Sequence, residues 1–324
     1  MTEPFHIGFF SHAEMQFLGA VREDRVWKLE SLLPGVAGLT PLGLLDDWQR
    51  LEPAIAAAMT KAPGNTSLSL HDLAVMAPIV PRQIFCTGAN YRKHVIELTL
   101  KQPDPSSAHM TPEEREEHVA RVMDERARTG TPYAFVKLPS AVTGPFDRII
   151  LPKGAKEVDW ELELAVVIGK RGHRIQAADA LSHVAGYTVA NDITARDLVY
   201  RQDMKAIGSD WLASKCAETF LPLGPWITPA RYLPQPDNLQ LTLKLNGQVM
   251  QNENSSDMIF SIARQIEYIS SYVTLLPGDV ICTGSPAGNG THYQRFLQPG
   301  DVVEGEIAGL GLQRLTCVAE ETAA

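Results

Sequence analysis

The chain has 324 residues, 44% of them hydrophobic and 21% charged, which is close to globular averages and excludes wholesale disorder. Its formal net charge of −9, with no block of Lys or Arg, argues against a nucleic-acid partner. The start of the chain has neither the basic nor the apolar segment of a secretory signal, and no apolar run reaches the length of a membrane span. These features predict a soluble cytoplasmic enzyme that acts on a small molecule, without a membrane partner.

The first 80 residues are predicted to form a small α/β domain. Short strand patterns occupy 6–12 and 25–31, and apolar residues at helical spacing predict a helix over 46–61. Pro78 and Pro81 bracket the expected boundary. We therefore expect a small N-terminal domain at 1–80 and a catalytic domain at 81–324.

Residues 99–131 differ from their surroundings because they are polar and helical. Thr111 is a candidate N-cap, Pro112 would occupy the first helical position, and Glu114 would complete a capping box. The apolar stripe of this helix is narrow, so most of the helix should face solvent. We interpret the segment as a lid or a surface insertion between two core strands.

Strand patterns dominate from residue 133 onward, and two helices are predicted among them, at 177–184 and 256–273. The strand segments are short, rich in β-branched residues and separated by Gly and Pro turns. They predict a β-rich α+β fold for the catalytic domain. The predicted strands lie at 134–140, 147–152, 161–169, 186–192, 239–247, 279–284 and 301–307.

The segment VDWELELAVVIG (158–169) carries the sharpest chemical signal. Alternate residues of a strand share a face, so Glu161 and Glu163 should point to one side of a largely buried strand. Asp192 falls where the strand pattern YTVAN ends. Buried neighbouring carboxylates need a cation or a shared proton, and three hard oxygen ligands suit Mg²⁺ or Mn²⁺, with Ca²⁺ as an alternative. The plainer interpretation is a wet acidic edge strand and a simple turn cap.

The segment TGANYRKHVIE (87–97) places His94 and Glu97 one helical turn apart. Residues at i and i+3 are neighbours on a helix, so Glu97 could orient His94 and raise its basicity. That arrangement would make His94 a general base near neutral pH. The alternative is a pair of ordinary surface residues.

Two lysines stand in apolar, strand-like surroundings, Lys137 in AFVKLPS and Lys215 in WLASKCAETF. A partly buried lysine usually needs an anionic partner, which could be a substrate carboxylate, an enolate oxygen or a structural carboxylate. The Gly-rich segment TGSPAGNG (283–290) lacks the P-loop pattern, although its backbone amides could hold a small anion. A wide turn is the plainer interpretation of that loop.

The order of these segments over residues 82–318 resembles the fumarylacetoacetate hydrolase superfamily. The ordered motifs are TGANYRKHVIE, AFVKLPS, VDWELELAVVIG, YTVANDITARD, KCAETFLPLGP, LKLNGQVMQ, LLPGDVICTGSPAG and QPGDVVEGEIAGLG. The resemblance implies a mixed β-sandwich roll, preceded by the variable N-terminal domain of many members, and a homodimer. It also implies that Glu161, Glu163 and Asp192 hold a divalent metal, and that His94, helped by Glu97, activates a water molecule from a mobile lid.

Three further positions resemble substrate-binding residues of the family: Lys137, Lys215 and Ser285. We place Lys215 in the catalytic set as well, because an ammonium there could hold a leaving enolate. Val199 stands where the tyrosine-pathway hydrolases carry glutamine, and Glu218 stands where many relatives carry aspartate. These departures argue against fumarylacetoacetate itself and toward another β-dicarbonyl acid.

The resemblance therefore implies a metal-dependent hydrolase that cleaves a C–C bond in a 1,3-diketo, acylpyruvate-like acid from aromatic or sugar-acid catabolism. An alternative on the same scaffold is a lyase or isomerase of 2-oxo acids. That group includes an oxaloacetate-type decarboxylase, a 2-oxo-4-pentenoate hydratase and an enol–keto tautomerase. A third interpretation, a binding protein without activity, is disfavoured because the acidic triad, the His–Glu pair and the lysine are all present.

Overall fold

The computed structural model describes residues 3–62, 64–101, 109–201, 203–204, 206 and 208–321. The strands are β1 His6–His12, β2 Met15–Arg22, β3 Arg25–Lys28, β4 Leu68–Ser69, β5 Ala74–Met76, β6 Ile84–Gly88, β7 Tyr133–Lys137, β8 Val142–Thr143, β9 Arg148–Leu151, β10 Val158–Asp159, β11 Leu162–Ile168, β12 Val184–Asn191, β13 Thr194–Ala195, β14 Leu221–Pro222, β15 Thr228–Pro229, β16 Gln240–Leu245, β17 Gln248–Asn254, β18 Val280–Cys282, β19 Val302–Ile307 and β20 Gly311–Ala319. The helices are α1 Leu29–Leu32, α2 Pro41–Asp46, α3 Trp48–Met59, α4 Arg92–Lys101, α5 Pro112–Thr129, α6 Trp211–Lys215, α7 Ile262–Tyr272 and α8 Gly290–Tyr293.

The N-terminal residues form an antiparallel sheet with the strand order β4-β3-β2-β1-β5. Helix α3 buries Trp48, Leu51 and Ile55 in the main hydrophobic core. This core continues into the strands that follow residue 83, so apolar packing does not stop at the expected boundary. The division into domains at 1–80 and 81–324 stays a prediction.

A short segment around β15 joins the N-terminal sheet to the rest of the protein. Ile7 and Ile227 exchange two backbone hydrogen bonds, of 2.9 and 2.8 Å. The His6 ring stacks on Trp226 with centroids 5.0 Å apart, and its Nδ1 lies 2.8 Å from Thr228 Oγ1. Burial lowers the pKa of His6 to about 4, so the folded protein holds this ring neutral at pH 7.

A six-stranded sheet with the order β15-β12-β11-β18-β6-β7 forms the centre of the molecule. Its pairs are antiparallel except for β18 and β6, which run parallel. Every residue of β11 and β12 is buried, as the dense runs of Val, Ile and Ala in these strands predict. The two strands also carry or adjoin all three predicted acidic ligands.

A second sheet, with the order β17-β16-β19-β20-β9, packs against the first. Leu241, Leu243 and Val303 are fully buried in the shared core. Gly305 lies so close to Leu162 that an added Cβ would meet its side chain at 2.7 Å, which is why the strands can approach closely here. The fold is a β-rich α+β sandwich, as predicted, and the seven predicted strands are found, several of them shorter by a residue or two at their ends.

The helix predictions need correction at three places. The helix predicted over 256–273 begins at Ile262, because the Ser261 side chain accepts a hydrogen bond from Arg264 N and caps it there. The segment 177–184 forms only a short 3₁₀ turn at Ala180–His183. The helix predicted over 46–61 is α3, preceded by the separate short helix α2.

The polar segment between β6 and β7 folds as two helices, α4 and α5. The predicted capping box is present, with reciprocal hydrogen bonds between Thr111 and Glu114. Val95 and Ile96 of α4 pack with Val119 and Met123 of α5 in a cluster separate from the main core. Residues 102–108 of the predicted insertion lie outside the described residues. No described helix combines the length and apolar character that crossing a lipid bilayer requires.

The half-buried, neutral His6 predicts a loss of stability in acid. Its pKa is about 4 in the folded protein against 6.5 for the free side chain, so below pH 6.5 the unfolded chain binds a proton that the folded chain does not. The free energy of unfolding should therefore fall between pH 6.5 and pH 4, by up to about 3 kcal/mol from this residue alone. Urea unfolding of the wild type and of His6→Gln across this range measures the difference.

The exposed His12 offers a matched control, since His12→Gln removes a histidine from the same strand. The pH profile of His12→Gln should follow the wild type, whereas that of His6→Gln should be flatter. Parallel profiles for His6→Gln and the wild type would contradict the assignment.

Candidate active site

Three buried carboxylates meet at the centre of the six-stranded sheet. Glu161, Glu163 and Asp192 each place one oxygen within 4.8 Å of one oxygen of each of the others. Backbone geometry brings them together, because Asp192 N donates to Glu161 O at 2.8 Å and Glu161 N donates to the Asn191 side chain at 2.9 Å. The residues predicted from the strand pattern thus form one cluster.

Two lysines and an arginine surround this cluster. Lys215 donates to Glu161 Oε2 at 2.6 Å and to Asp192 Oδ2 at 2.5 Å. Lys215 lies at the end of helix α6, not in a strand as predicted, because Asp210 caps that helix by accepting from Ala213 N at 3.0 Å. Burial lowers the pKa of Lys215, but the Asp192 and Glu161 carboxylates raise this pKa by more than burial lowers it, so the ammonium stays charged.

Lys137 lies deeper than the substrate-binding position that the resemblance implies. Its ammonium donates to Asp192 Oδ1, to Ile193 O at 3.0 Å and to Phe220 O at 2.6 Å, and it does not line the cavity. All three of its protons therefore have acceptors inside the protein. This geometry gives Lys137 the task of holding Asp192 in place.

Glu163 provides the test of whether the cluster fits a metal. Gly284 N donates to its Oε2 at 2.8 Å, and among the described residues no cation donates to it directly. Burial, together with the nearby charge of Asp192, raises the pKa of Glu163 well above its usual value. A buried carboxylate in this position favours a proton or a divalent cation, and the donor set of three carboxylates suits Mg²⁺ or Mn²⁺.

Sequence reasoning missed the group that holds Glu161 from behind. Arg196 donates to Glu161 Oε1 and, through Nε, to Asp159 Oδ2 at 2.8 Å. Asp159 also accepts from Gly290 N at 2.5 Å, at the start of α8. Asp159 could have been identified from the sequence, since it precedes Glu161 by two residues and so continues the same alternation of acidic side chains.

His94 is buried at the edge of the cluster, on α4. Burial lowers the pKa of His94 to about 4; the Glu161 carboxylate raises this pKa and Arg196 lowers it, both by smaller amounts, so the ring is neutral at pH 7. Its Nε2 lies 3.5 Å from Asn289 Nδ2, and its Nδ1 has no hydrogen-bond partner among the described residues. A neutral, buried imidazole beside the acidic cluster can accept a proton from a bound molecule.

Glu97 does not take the position beside His94 that the helical spacing predicts. Its Oε2 lies 3.1 Å from Nδ1 of His292, on α8. The i, i+3 spacing brings the two residues to neighbouring positions on the helix surface, but His94 turns into the protein while Glu97 turns toward α8. The His94–Glu97 hydrogen bond expected from the sequence is absent from this structure.

Ser285 lines the cavity at the exit of β18. Its hydroxyl accepts from Gln251 Nε2 at 3.0 Å, and Gln251 Oε1 in turn accepts from Leu162 N at 3.1 Å. The Gly-rich segment forms a loop, and its Gly284 amide is directed at Glu163, not at an external anion. The position of Ser285 is therefore fixed by the second sheet.

These side chains line one cavity of about 330 Å³, a size suited to a small ligand. The acidic cluster forms its floor, and four aromatic rings together with Leu98 lie around its mouth. The lining aromatic residues are Tyr133, Phe135, Tyr200 and Trp211.

The comparison with protein-family models gives one match. Residues 83–318 match the model described as fumarylacetoacetate (FAA) hydrolase C-terminal, which is well over half of the chain. The chain belongs to the fumarylacetoacetate hydrolase family. It is therefore an enzyme of this family acting on a small molecule, with a buried acidic triad able to hold a divalent metal.

Relatives in the fumarylacetoacetate hydrolase family include isomerases and hydrolases. The chain is 37% identical over 285 residues to oxaloacetate tautomerase FAHD2A, mitochondrial, of Bos taurus, covering 82% of this chain and 81% of that protein. It is similar to the structure of maleylpyruvate hydrolase from Sphingobium sp. SYK-6 in complex with manganese (II) ion and pyruvate, with a TM-score of 0.72, 25% identity and coverage of 98% and 100%. A 2-hydroxyhepta-2,4-diene-1,7-dioate isomerase from Mycobacterium marinum matches with a TM-score of 0.68, 27% identity and the same coverage.

The environment of Glu163 predicts that the substitution Glu163→Gln affects the stability of the protein differently with and without bound metal. Glu163→Gln replaces a buried carboxyl group, which no described cation contacts directly, with a neutral amide of similar shape, so the metal-free variant should be at least as stable as the wild type. The variant should also bind Mn²⁺ more than about tenfold more weakly than the wild type. Loss of a residue that merely supports a metal ligand already lowers metal affinity by about tenfold or more, and Glu163 is proposed to be a ligand itself. At Mn²⁺ about 100-fold above the wild-type dissociation constant, the wild type should gain about 2.7 kcal/mol of unfolding free energy, whereas a variant that binds tenfold more weakly should gain only about 1.4 kcal/mol.

Thermal unfolding with and without Mn²⁺, together with calorimetric titration, measures both effects. Glu306→Gln is the control, because Glu306 is an exposed glutamate on a strand of the second sheet. Equal stabilisation of Glu163→Gln and the wild type by Mn²⁺ would remove Glu163 from the ligand set.

Proposed function

We propose that this protein catalyses the metal-dependent enol–keto tautomerisation of a 2-oxo acid of the oxaloacetate type. The observation that carries the proposal is the neutral, buried His94 facing three clustered carboxylates in one small cavity. The relatives named as oxaloacetate tautomerases support it, at 37% identity over most of the chain. This corresponds to the alternative drawn from the sequence and replaces C–C hydrolysis as the first choice.

The partner of Glu97 favours tautomerisation over hydrolysis. Hydrolysis by the expected route needs a base assisted by Glu97 to deprotonate water. In this structure Glu97 lies beside His292, and His94 stands alone as a neutral base. Tautomerisation needs only one base that moves a proton between carbon and solvent, which is the chemistry that an unassisted imidazole can perform.

The chain's own residues account for the proton movement. His94 takes a proton from C3 of the keto form, and the electron pair of that C–H bond shifts so that negative charge develops on the C2 oxygen. Lys215, held charged beside Asp192 and Glu161, stabilises this oxygen electrostatically. Protonation of the oxygen from solvent, together with release of the His94 proton to solvent, gives the enol and restores the neutral imidazole, and the reverse steps regenerate the keto acid.

The metal ligands would be Glu161, Glu163 and Asp192, with Mg²⁺ or Mn²⁺ as the ion. When bound, such an ion supplies Lewis-acid polarisation of the 2-oxo group and a fixed point for the acid's carboxylate. Lys137 and Arg196 hold Asp192 and Glu161 in the orientation that this requires. Ser285 is proposed to contact the substrate at the cavity wall.

Hydrolysis of an acylpyruvate is the second candidate. It is supported by the structural similarity to a maleylpyruvate hydrolase in complex with manganese (II) ion and pyruvate. The two reactions give different products, since hydrolysis consumes water and yields two acids, while tautomerisation leaves the carbon skeleton intact. Decarboxylation, a third reaction of this scaffold, releases CO₂.

The first test is turnover of oxaloacetate by the Mn²⁺-loaded protein. Loss of the ultraviolet absorbance of the enol follows tautomerisation, and NMR in D₂O should show deuterium at C3 without new acids. His94→Ala should lower the rate by roughly 10²- to 10⁴-fold, the usual contribution of a general base, while leaving Mn²⁺ binding intact. Removing the metal with a chelator should also abolish the acceleration.

His71→Ala is the control, since His71 is an exposed histidine in the short 3₁₀ turn between β4 and β5. It should leave both turnover and metal binding unchanged. Near-wild-type turnover in His94→Ala would refute the role of His94 as the base, and formation of two acids from an acylpyruvate, with no effect on oxaloacetate, would favour the hydrolase instead.

We also keep the homodimer implied by family membership as a proposal. Val136 and Leu138 are exposed on or beside the edge strand β7, and Tyr272 of α7 is exposed nearby. An exposed apolar sheet edge of this kind is usually covered in solution. Light scattering of the purified protein measures its mass directly.

A further inference from the structure

The mouth of the active-site cavity carries a phenol hydroxyl that a neighbouring indole holds in place. Tyr133 and Trp211 both line the cavity, and Trp211 Nε1 donates to the Tyr133 hydroxyl oxygen at 3.0 Å. Phe135 stacks on Trp211 with ring centroids 4.5 Å apart and an interplanar angle of 13°, which restricts the indole in turn. The Tyr133 oxygen is therefore positioned by residues of both β7 and α6.

The Tyr133 hydroxyl still has a proton to donate. A phenol oxygen that accepts one hydrogen bond keeps its own O–H for another acceptor, and accepting the first bond makes that O–H a stronger donor. Among the described residues no group accepts the proton of Tyr133, whose side chain is 45% exposed. The mouth of the cavity thus presents a neutral donor that is oriented but uncommitted.

The positive charge of Lys215 extends to the same side of the cavity. Its Nζ donates to Glu161 and Asp192 and lies 5.0 Å from the centroid of the Phe135 ring. Phe135 stacks on the same indole that holds Tyr133. An anionic substituent that extends from the carboxylate cluster along these rings would therefore lie in the field of an ammonium and reach a hydroxyl donor.

The other basic side chains of the cavity lining do not offer a charged donor at the mouth. Arg196 is committed to the floor, because it donates to Asp159 and to Glu161. His94 is neutral at pH 7. A substrate carboxylate at the mouth would consequently depend on a neutral donor for its hydrogen bond, and Tyr133 supplies one.

We propose that the Tyr133 hydroxyl binds the second carboxylate of a dicarboxylic 2-oxo acid and selects such an acid over one with a neutral group in that position. This rests on the proposed tautomerase function and assigns part of its substrate specificity to one residue. A carboxylate is a strong acceptor for a phenol proton, and a hydrogen bond to a charged group contributes more than one to a neutral group. Trp211 is a positioning residue, because it acts through the Tyr133 hydroxyl.

Oxaloacetate and its 4-methyl ester are matched probes, because they share the 2-oxo acid head and the activated C3 and differ in the charge of the terminal group. With the Mn²⁺-loaded protein, Tyr133→Phe should lower kcat/KM for oxaloacetate by about tenfold or more, the fold-change that corresponds to losing a hydrogen bond to a charged group. It should lower kcat/KM for the ester by no more than about threefold, because an ester carbonyl accepts a weaker hydrogen bond. Trp211→Phe keeps an aromatic ring but removes the Nε1 donor, and it should give an intermediate loss for oxaloacetate.

Two tyrosine variants serve as comparisons. Tyr272→Phe is the control, because Tyr272 is exposed on α7 and does not line the cavity, and it should leave both kcat/KM values unchanged. Tyr200→Phe removes the hydroxyl of the other tyrosine in the cavity lining, and it should leave the ratio of the two values unchanged. Equal losses for both probes in a folded Tyr133→Phe variant, or a ratio that falls in Tyr200→Phe and not in Tyr133→Phe, would overturn the proposal.

Calorimetric binding of malate and its 4-methyl ester to the Mn²⁺-loaded protein separates this inference from the proposed function, because neither molecule can form an enol at a 2-oxo group. If oxaloacetate is not tautomerised but malate binds more tightly than its ester, and Tyr133→Phe removes the difference, the role of Tyr133 is supported while the reaction is not. If oxaloacetate is tautomerised and Tyr133→Phe changes neither turnover nor malate binding, the reaction stands and the role of Tyr133 is refuted.

Discussion

Three carboxylates within 4.8 Å of one another repel strongly, and the repulsion grows as water is excluded from around them. The rest of the site is arranged to compensate it. Lys215 and Lys137 approach Asp192 from two sides, and Arg196 approaches Glu161 from behind. Glu163 alone receives only a backbone amide. The protein's own cations therefore compensate Asp192 and Glu161 in the folded state. Glu163 remains as a buried carboxylate for which a metal is the natural partner.

The compensation works because the two halves of the site have separate supports. The carboxylates belong to the central strands, where a second sheet packs behind them and Gly305 allows the close approach. His94 belongs to helix α4, which is attached through Asn90: its side chain donates to Thr283 O at 2.8 Å and accepts from Phe260 N at 2.9 Å. Under the proposed reaction, the rigid acidic floor and the separately anchored His94 would keep charge stabilisation and proton transfer independent of each other.

Much of this could be predicted from sequence, and what could not has a physical reason. The alternation of a strand places Glu161 and Glu163 on one face, and the end of a strand pattern marks Asp192. Both could be predicted because these relations are local. Spacing along a helix places Glu97 near His94 but does not say which way it turns, and the competing His292 is almost 200 residues away in the chain. Lys137 shows the same limit, since its carbonyl acceptors at Ile193 and Phe220 are long-range contacts that no local pattern encodes. The stacked rings of Phe135 and Trp211 also come together only in three dimensions, from β7 and α6.

The choice among reactions on this scaffold depends on how water is handled at the base. A hydrolase must hold a water molecule against its imidazole and polarise it, which calls for a second acceptor such as Glu97. Here Glu97 is turned to His292, so the second acceptor is directed away from His94. Under the proposed reaction, an unassisted His94 would therefore act on a C–H bond of the substrate in preference to a water molecule.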